Sequence, residues 1–266
     1  MLNGENKIIL ILLMAAAVYL ERLAIFKSMY IVLDVLFVRL DGKQFNQIIQ
    51  KNKKYFMSWP NFFINAAVSV GDYQTAANFA TYYIKNKKSS EKFKIFCLNT
   101  LARIYFELRD FEKLRLLLDK TDKDDTHRHK KHTSSDSTEL LNYFRFFLEQ
   151  NYEACIDFCE KRVAGFNPNS RYTKIKKLQI DFYYAVACYE NGQTDKAKEK
   201  FSGIVSAAPD LYTANVSQKY LDAIEQDTAP DFSETKIVPD EDFRIHYKKT
   251  ESKIYFRRIL FNRKLQ

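Results

Sequence analysis

Residues 178–211 read LQIDFYYAVACYENGQTDKAKEKFSGIVSAAPDL, and this stretch decides the fold. Ala185 and Cys188 fall on the inward stripe of one helix, Gly192 and Gln193 turn the chain, and Ala197, Phe201 and Ile204 form the inward stripe of a second helix. Pro209 ends that helix, because its ring removes a backbone donor and clashes with the preceding turn. The small Ala185 and Ala197 let two backbones approach closely, while Phe201 and Ile204 present apolar surface that a neighbouring unit has to cover. One such hairpin cannot bury itself, so a stack is required.

Weaker copies precede it. Phe62–Tyr83 turns at Val70-Gly71-Asp72-Tyr73, with Ala76 and Ala80 on its second helix. Leu98–Lys120 carries Leu101, Ala102 and Tyr105 before turning at Arg109-Asp110-Phe111, and Leu140–Arg162 turns at Gln150-Asn151-Tyr152 before Cys155 and Cys159. From Gly71 through Arg109 and Gln150 to Gly192 the spacings are 38, 41 and 42 residues, so the series is degenerate in length.

Residues 178–211 resemble the tetratricopeptide repeat in their 34-residue length, small–large–small pattern and closing proline. The likeness extends over about residues 60–225, with bulky Ile64 and Tyr143 where the family has a small residue. It implies an all-α, TPR-like α-solenoid of about five helical hairpins. By that resemblance a concave groove is lined by the first helices, here by Asn61, Asn65, Asn99, Arg103, Phe182, Val186, Tyr189 and Glu190. These positions mix amide, charge and ring, as a peptide groove would. Asn65 fits the set with which some members grip a C-terminal carboxylate, but its partners are absent.

Composition agrees with helices. The chain has 266 residues, of which 46% are hydrophobic, and its 6 Gly and 5 Pro leave little turn material for an all-β fold. The 22 Phe and 17 Tyr are expected to fill the gaps between stacked hairpins. Cys97, Cys155, Cys159 and Cys188 all lie in helical segments near apolar stripes and read as buried thiols, not metal ligands.

The N-terminal segment, residues 1–27, contains an apolar run, IILILLMAAAVYL at 8–20. Continued to Phe26, a helix there would rise roughly 28 Å, enough for a bilayer's hydrocarbon core if Glu21 and Arg22 reach out of it. A cleaved signal peptide and a buried first helix are the competing readings; the absence of any polar face favours a transmembrane anchor. Only Lys7 precedes the run, whereas Arg22, Lys27, Arg39 and Lys43 follow it, so the repeat domain should face the cytoplasm.

The repeat region is expected over 28–226. Its opening hairpin is Ser28–Leu40 and Lys43–Gln50 around Asp41-Gly42, followed by a basic loop, Lys51–Lys54. Residues 120–138, KTDKDDTHRHKKHTSSDST, read as a solvated loop in which His127, His129 and His132 lack the fixed geometry a selective metal site needs. A capping helix, Val216–Gln226, ends the array. Residues 227–266 comprise an extended acidic segment and a basic–aromatic tail, whose Lys248, Lys249, Lys253, Arg257, Arg258, Arg263 and Lys264 suit either an anionic membrane surface or solvent. Much of the net charge of +9 sits in that tail, so it argues poorly for nucleic-acid binding by the folded body.

No phosphate-binding loop, dinucleotide turn, nucleophile elbow or zinc-protease motif occurs, and no cofactor is implied. The expectation is a membrane-anchored, non-enzymatic adaptor that binds a protein or peptide partner in a helical groove. The alternatives are a membrane-localised enzyme or ligand sensor with a small-molecule site in the solenoid, and an exported binding protein.

Overall fold

A computed structural model describes residues 16, 19–20, 27–56, 59–125, 135–170, 172–233, 237–240 and 243. Among these, all regular structure is helical. Helical residues 27–37 (α1) are followed by α2 (Gly42–Lys51), α3 (Lys53–Phe56), α4 (Pro60–Ser69), α5 (Tyr73–Lys85), α6 (Glu91–Glu107) and α7 (Phe111–Asp125). Then come α8 (Ser135–Leu148), α9 (Tyr152–Ala164), α10 (Thr173–Glu190), α11 (Thr194–Ala207) and α12 (Tyr212–Gln226).

What repeats is the geometry of the turn inside each hairpin. Leu40, Gly71, Arg109, Gln150 and Gly192 all have left-handed backbones, with φ of 59, 79, 56, 59 and 72°. The next residue caps the following helix. Asp41, Asp72, Asp110 and Asn151 each accept the backbone N–H three residues on, at Gln44, Thr75, Lys113 and Ala154, while Gln193 holds the same place without such a bond. The capping residue's own N–H reaches back five residues in four of these turns, from Asp72 to Ala67, Asp110 to Tyr105, Asn151 to Phe146 and Gln193 to Cys188, at 2.8–2.9 Å. Asp41 instead reaches six back, to Val35. A glycine suits the left-handed position, yet Gln150 occupies it with an exposed side chain. Gln150→Gly should therefore stabilise the protein by about 0.5–1 kcal/mol, seen as a higher urea midpoint followed by the fluorescence of the single tryptophan, Trp59.

Aromatic rings join successive hairpins. Phe106 on α6 packs edge-on against Phe147 of α8 at 4.8 Å, and it also meets Tyr143, Phe144 and Tyr183. The Tyr143 hydroxyl, buried among them, donates to the Tyr183 backbone carbonyl at 2.7 Å. Helix α10 runs through the centre, burying Leu178, Ile180, Phe182, Tyr183, Ala185, Val186, Ala187 and Cys188.

All four thiols are buried and free. Burial pushes Cys97 and Cys155 up to about 12 from an ordinary 9.0. Burial, with neighbouring Cys159 and Cys155, likewise raises the Tyr143 phenol well above 10.0. Above pH 9 the unfolded chain releases these protons while the folded chain keeps them. Their contribution is thus complete below about pH 9 and is lost as pH rises towards 12, by about 1.4 kcal/mol per pH unit for each such group. Urea midpoints should fall steeply over that window; a flat profile would mean that the thiols and phenols are hydrated.

The array also closes on itself. At its N-terminal end Phe37 meets Tyr172 at 4.9 Å, Lys43 pairs with Asp210 at 3.1 Å, and Tyr73 packs edge-on against Tyr212 at 5.0 Å. Helix α12 packs on α11 and also on α4 and α10. Two glycines permit this. A Cβ on Gly42 would lie 2.8 Å from the Ser69 carbonyl oxygen and 2.9 Å from Leu211, and one on Gly71 would lie 2.2 Å from the Tyr212 ring.

Several expected boundaries move. The capping helix starts at Tyr212, four residues before Val216, because its first turn is recruited into this closure. Helix α7 continues to Asp125 and α8 begins at Ser135, so the 120–138 loop is narrower than its polarity implied; His127, His129 and His132 lie outside the described residues. The stretch Lys51–Lys54 is not a loop, since Lys51 ends α2 and Lys53 opens α3. Of the apolar run at 8–26, only residues 16, 19 and 20 are described, and no described helix is long and apolar enough to cross a membrane.

Candidate peptide-binding surface

The side of the array expected to form an open groove is occupied by α12. Glu107, at the end of α6, has a side chain with 0% exposure. It accepts from the Tyr73 hydroxyl on α5 and from Arg103 Nε at 2.6 Å, and Arg103 Nη2 donates to Thr213 Oγ1 on α12 at 3.1 Å. Burial works against the Arg103 charge, but the Glu107 carboxylate and its hydrogen bond outweigh it and hold the guanidinium above its usual range. Burial and the same carboxylate push the Tyr73 phenol well up. A second pair lies closer to the turns: Arg109 donates to Glu190 at 2.5 Å and to the Tyr220 hydroxyl at 3.4 Å, tying α10 and α12 to the α6–α7 turn. Both networks are charge-compensated and bridge helices distant in sequence.

The eight expected groove residues therefore separate. Phe182 and Val186 do not line a groove; each is 1% exposed, because α10 is covered all round. Arg103 and Glu190 are committed to the two networks. Tyr189 packs against Tyr220 at 5.3 Å, and its hydroxyl donates to the Thr228 carbonyl at 3.2 Å. Asn65 and Asn99 are half-buried, and Asn61 borders a shallow cavity with Trp59, Tyr83 and Phe93. The tail residues Lys248, Lys249, Lys253, Arg257, Arg258, Arg263 and Lys264 lie outside the described residues.

A different surface does hold an extended peptide. Asp227, with φ 53°, turns the chain out of α12, and the following segment runs back across the array. Phe232 sits 6.0 Å from the Tyr220 ring, with Lys219 Nζ 4.9 Å above its own ring and donating to the Asp231 carbonyl. Farther on, Lys113 Nζ on α7 donates to the Ile237 carbonyl at 2.9 Å. Gln74 on α5 both donates to the Val238 carbonyl at 2.7 Å and accepts the Val238 N–H at 3.2 Å. Asn78 accepts the Asp240 N–H at 2.8 Å. Phe243 closes the contact against Phe79 at 5.2 Å and Tyr82 at 6.4 Å. Sequence reasoning missed Gln74, Asn78 and Lys113; their only signal is a pair of amides four apart, aligned with a lysine in the first turn of the next second helix.

A cavity of about 600 Å³ between α8, α9 and the start of α10 is walled by Phe146, Phe158 and Phe166. Its cations are engaged, Lys161 with Asp157 at 2.6 Å and Arg162 with Glu139 at 2.9 Å. Among the described residues no cluster of His, Cys, Asp and Glu could hold a metal ion. Comparison with protein-family models, with curated proteins and with solved structures finds no match.

Proposed function

We propose that this chain is a tetratricopeptide-like adaptor that captures a protein partner through an extended segment, and that the apolar N-terminal run tethers it to a membrane with the array towards the cytoplasm. The observation that carries this reading is the backbone-directed grip of Gln74, Asn78 and Lys113 on residues 237–240. Side chains on repeat helices that bond peptide N–H and C=O groups, without consuming the side chains of the bound segment, are what recognition of an extended peptide requires. The site of capture accordingly shifts from the concave face, which α12 fills, to the edge of the array near the hairpin turns.

The test is photo-crosslinking in the full chain from a photoreactive residue at Leu116, which is 62% exposed and one turn along α7 from Lys113. A discrete adduct with a second protein in membrane extract, suppressed by excess synthetic peptide 228–243, is the expected result. Adducts confined to the chain itself would contradict the reading. Release of the full chain by carbonate wash would contradict the tether.

A further inference from the structure

Resting on that reading, we propose that residues 237–243 are a built-in competitor, filling in cis a site that takes a partner's extended segment with an aliphatic residue at its start and an aromatic six residues later. The bonding pattern distinguishes a binding site from ordinary surface packing. Gln74 satisfies both backbone groups of one residue, Val238, whose side chain remains 69% exposed. The amide reads the main chain and is indifferent to that side chain. Gln74 Nε2 also donates to Asn78 Oδ1 at 2.9 Å, so the two amides are held in a row before they meet the segment. Lys113 is fixed similarly, by Asp110 Oδ2 at 2.7 Å. Preorganised polar groups of this kind lose little freedom when a ligand arrives.

Specificity lies at the two ends. Ile237 is 5% exposed and joins the hydrophobic core, while Phe243 lies against Phe79 and Tyr82. Between them Val238, Pro239 and Asp240 present exposed or half-exposed side chains. The hydrogen bonds to Val238 and Asp240 are at the solvent-exposed surface, so water can replace them one by one during exchange. Because the segment is tethered through Asp227 to α12, its effective concentration is on the order of millimolar, and a free ligand of equal intrinsic affinity competes poorly until the tethered copy is weakened. The site is thereby closed to weak or chance ligands.

The experiment uses full-length chains and one probe, a fluorescein-labelled peptide of residues 228–243. It should bind an Ile237→Ser, Phe243→Ser chain at least tenfold more tightly than the wild type. Adding Gln74→Ala and Asn78→Ala to that chain should reverse the gain by at least tenfold. A peptide carrying Val238→Pro, which lacks the N–H that Gln74 accepts, should not bind. Val238→Pro in the chain serves as a second opened form that removes no buried side chain, and Trp59 unfolding midpoints report whether each variant is folded. Equal binding by all chains, or no binding by either opened chain, overturns the proposal. Unfolding of both opened chains overturns it as well, since the segment would then be part of the core. Peptide binding with no partner adduct at Leu116 would contradict the adaptor reading alone; a partner adduct with no peptide binding would contradict the competitor alone.

Discussion

Gly71→Ala should destabilise the protein by about 2–4 kcal/mol, while Gly192→Ala should cost about 1 kcal/mol. The two glycines occupy equivalent turns with nearly equal φ, 79 and 72°, so backbone strain is common to both. They differ in their surroundings. A Cβ at Gly192 meets nothing within 4 Å, whereas one at Gly71 falls 2.2 Å from Cδ2 and 2.6 Å from Cγ of Tyr212. The near edge of that ring cannot swing aside, because Tyr212 opens α12 and packs on Tyr73. Relief requires α12 to shift away from the N-terminal hairpins. Urea midpoints of the two variants measure the difference, and equal losses would mean that α12 does not close the array.

Arg103→Ala should cost about 3–5 kcal/mol, because it leaves the Glu107 carboxylate in a site with 0% side-chain exposure and only the Tyr73 hydroxyl for company. Glu107→Ala should cost less, since Arg103 keeps 22% exposure and can turn towards water. The double variant should lose clearly less than the sum, with a coupling of about 1–3 kcal/mol in a double-mutant cycle. Arg103→Glu would set two carboxylates four residues apart at the same buried place and should abolish folding. Additive losses in the cycle would show that Arg103 and Glu107 act independently. Variants at Arg103 thus probe the interior and cannot serve as tests of partner binding.

The helical-repeat plan was readable because it depends on local chemistry. Asp72, Asp110 and Asn151 mark helix starts through their own side-chain caps, and Gly71 and Gly192 mark the left-handed residue that precedes such a start. Arg109 and Gln150 adopt the same φ without glycine, so there the capping residue was the only sign. Closure of the array was not readable. It rests on pairs such as Arg103 with Thr213 and Arg109 with Glu190, separated by 110 and 81 residues, and no local pattern encodes them.

The misplacement of Phe182 and Val186 had a visible cause in hindsight: IDFYYAVAC, residues 180–188, has one charged residue and no continuous polar face, as befits a helix covered on every side. The peptide-holding edge was hidden for a different reason. Gln74, Asn78 and Lys113 are ordinary surface residues of their own helices, and they acquire a role only when the chain returns from α12 some 160 residues later.

Hydrogen exchange at the Val238 and Asp240 amides tests the central claim most directly, because these two donors reach Gln74 and Asn78 only if the returning segment is seated. In the full chain both amides should exchange at least tenfold more slowly than in the free peptide 228–243. In the Gln74→Ala, Asn78→Ala chain they should match the peptide, while the α12 amides stay protected. Peptide-like exchange at both positions in the unaltered chain would contradict the account.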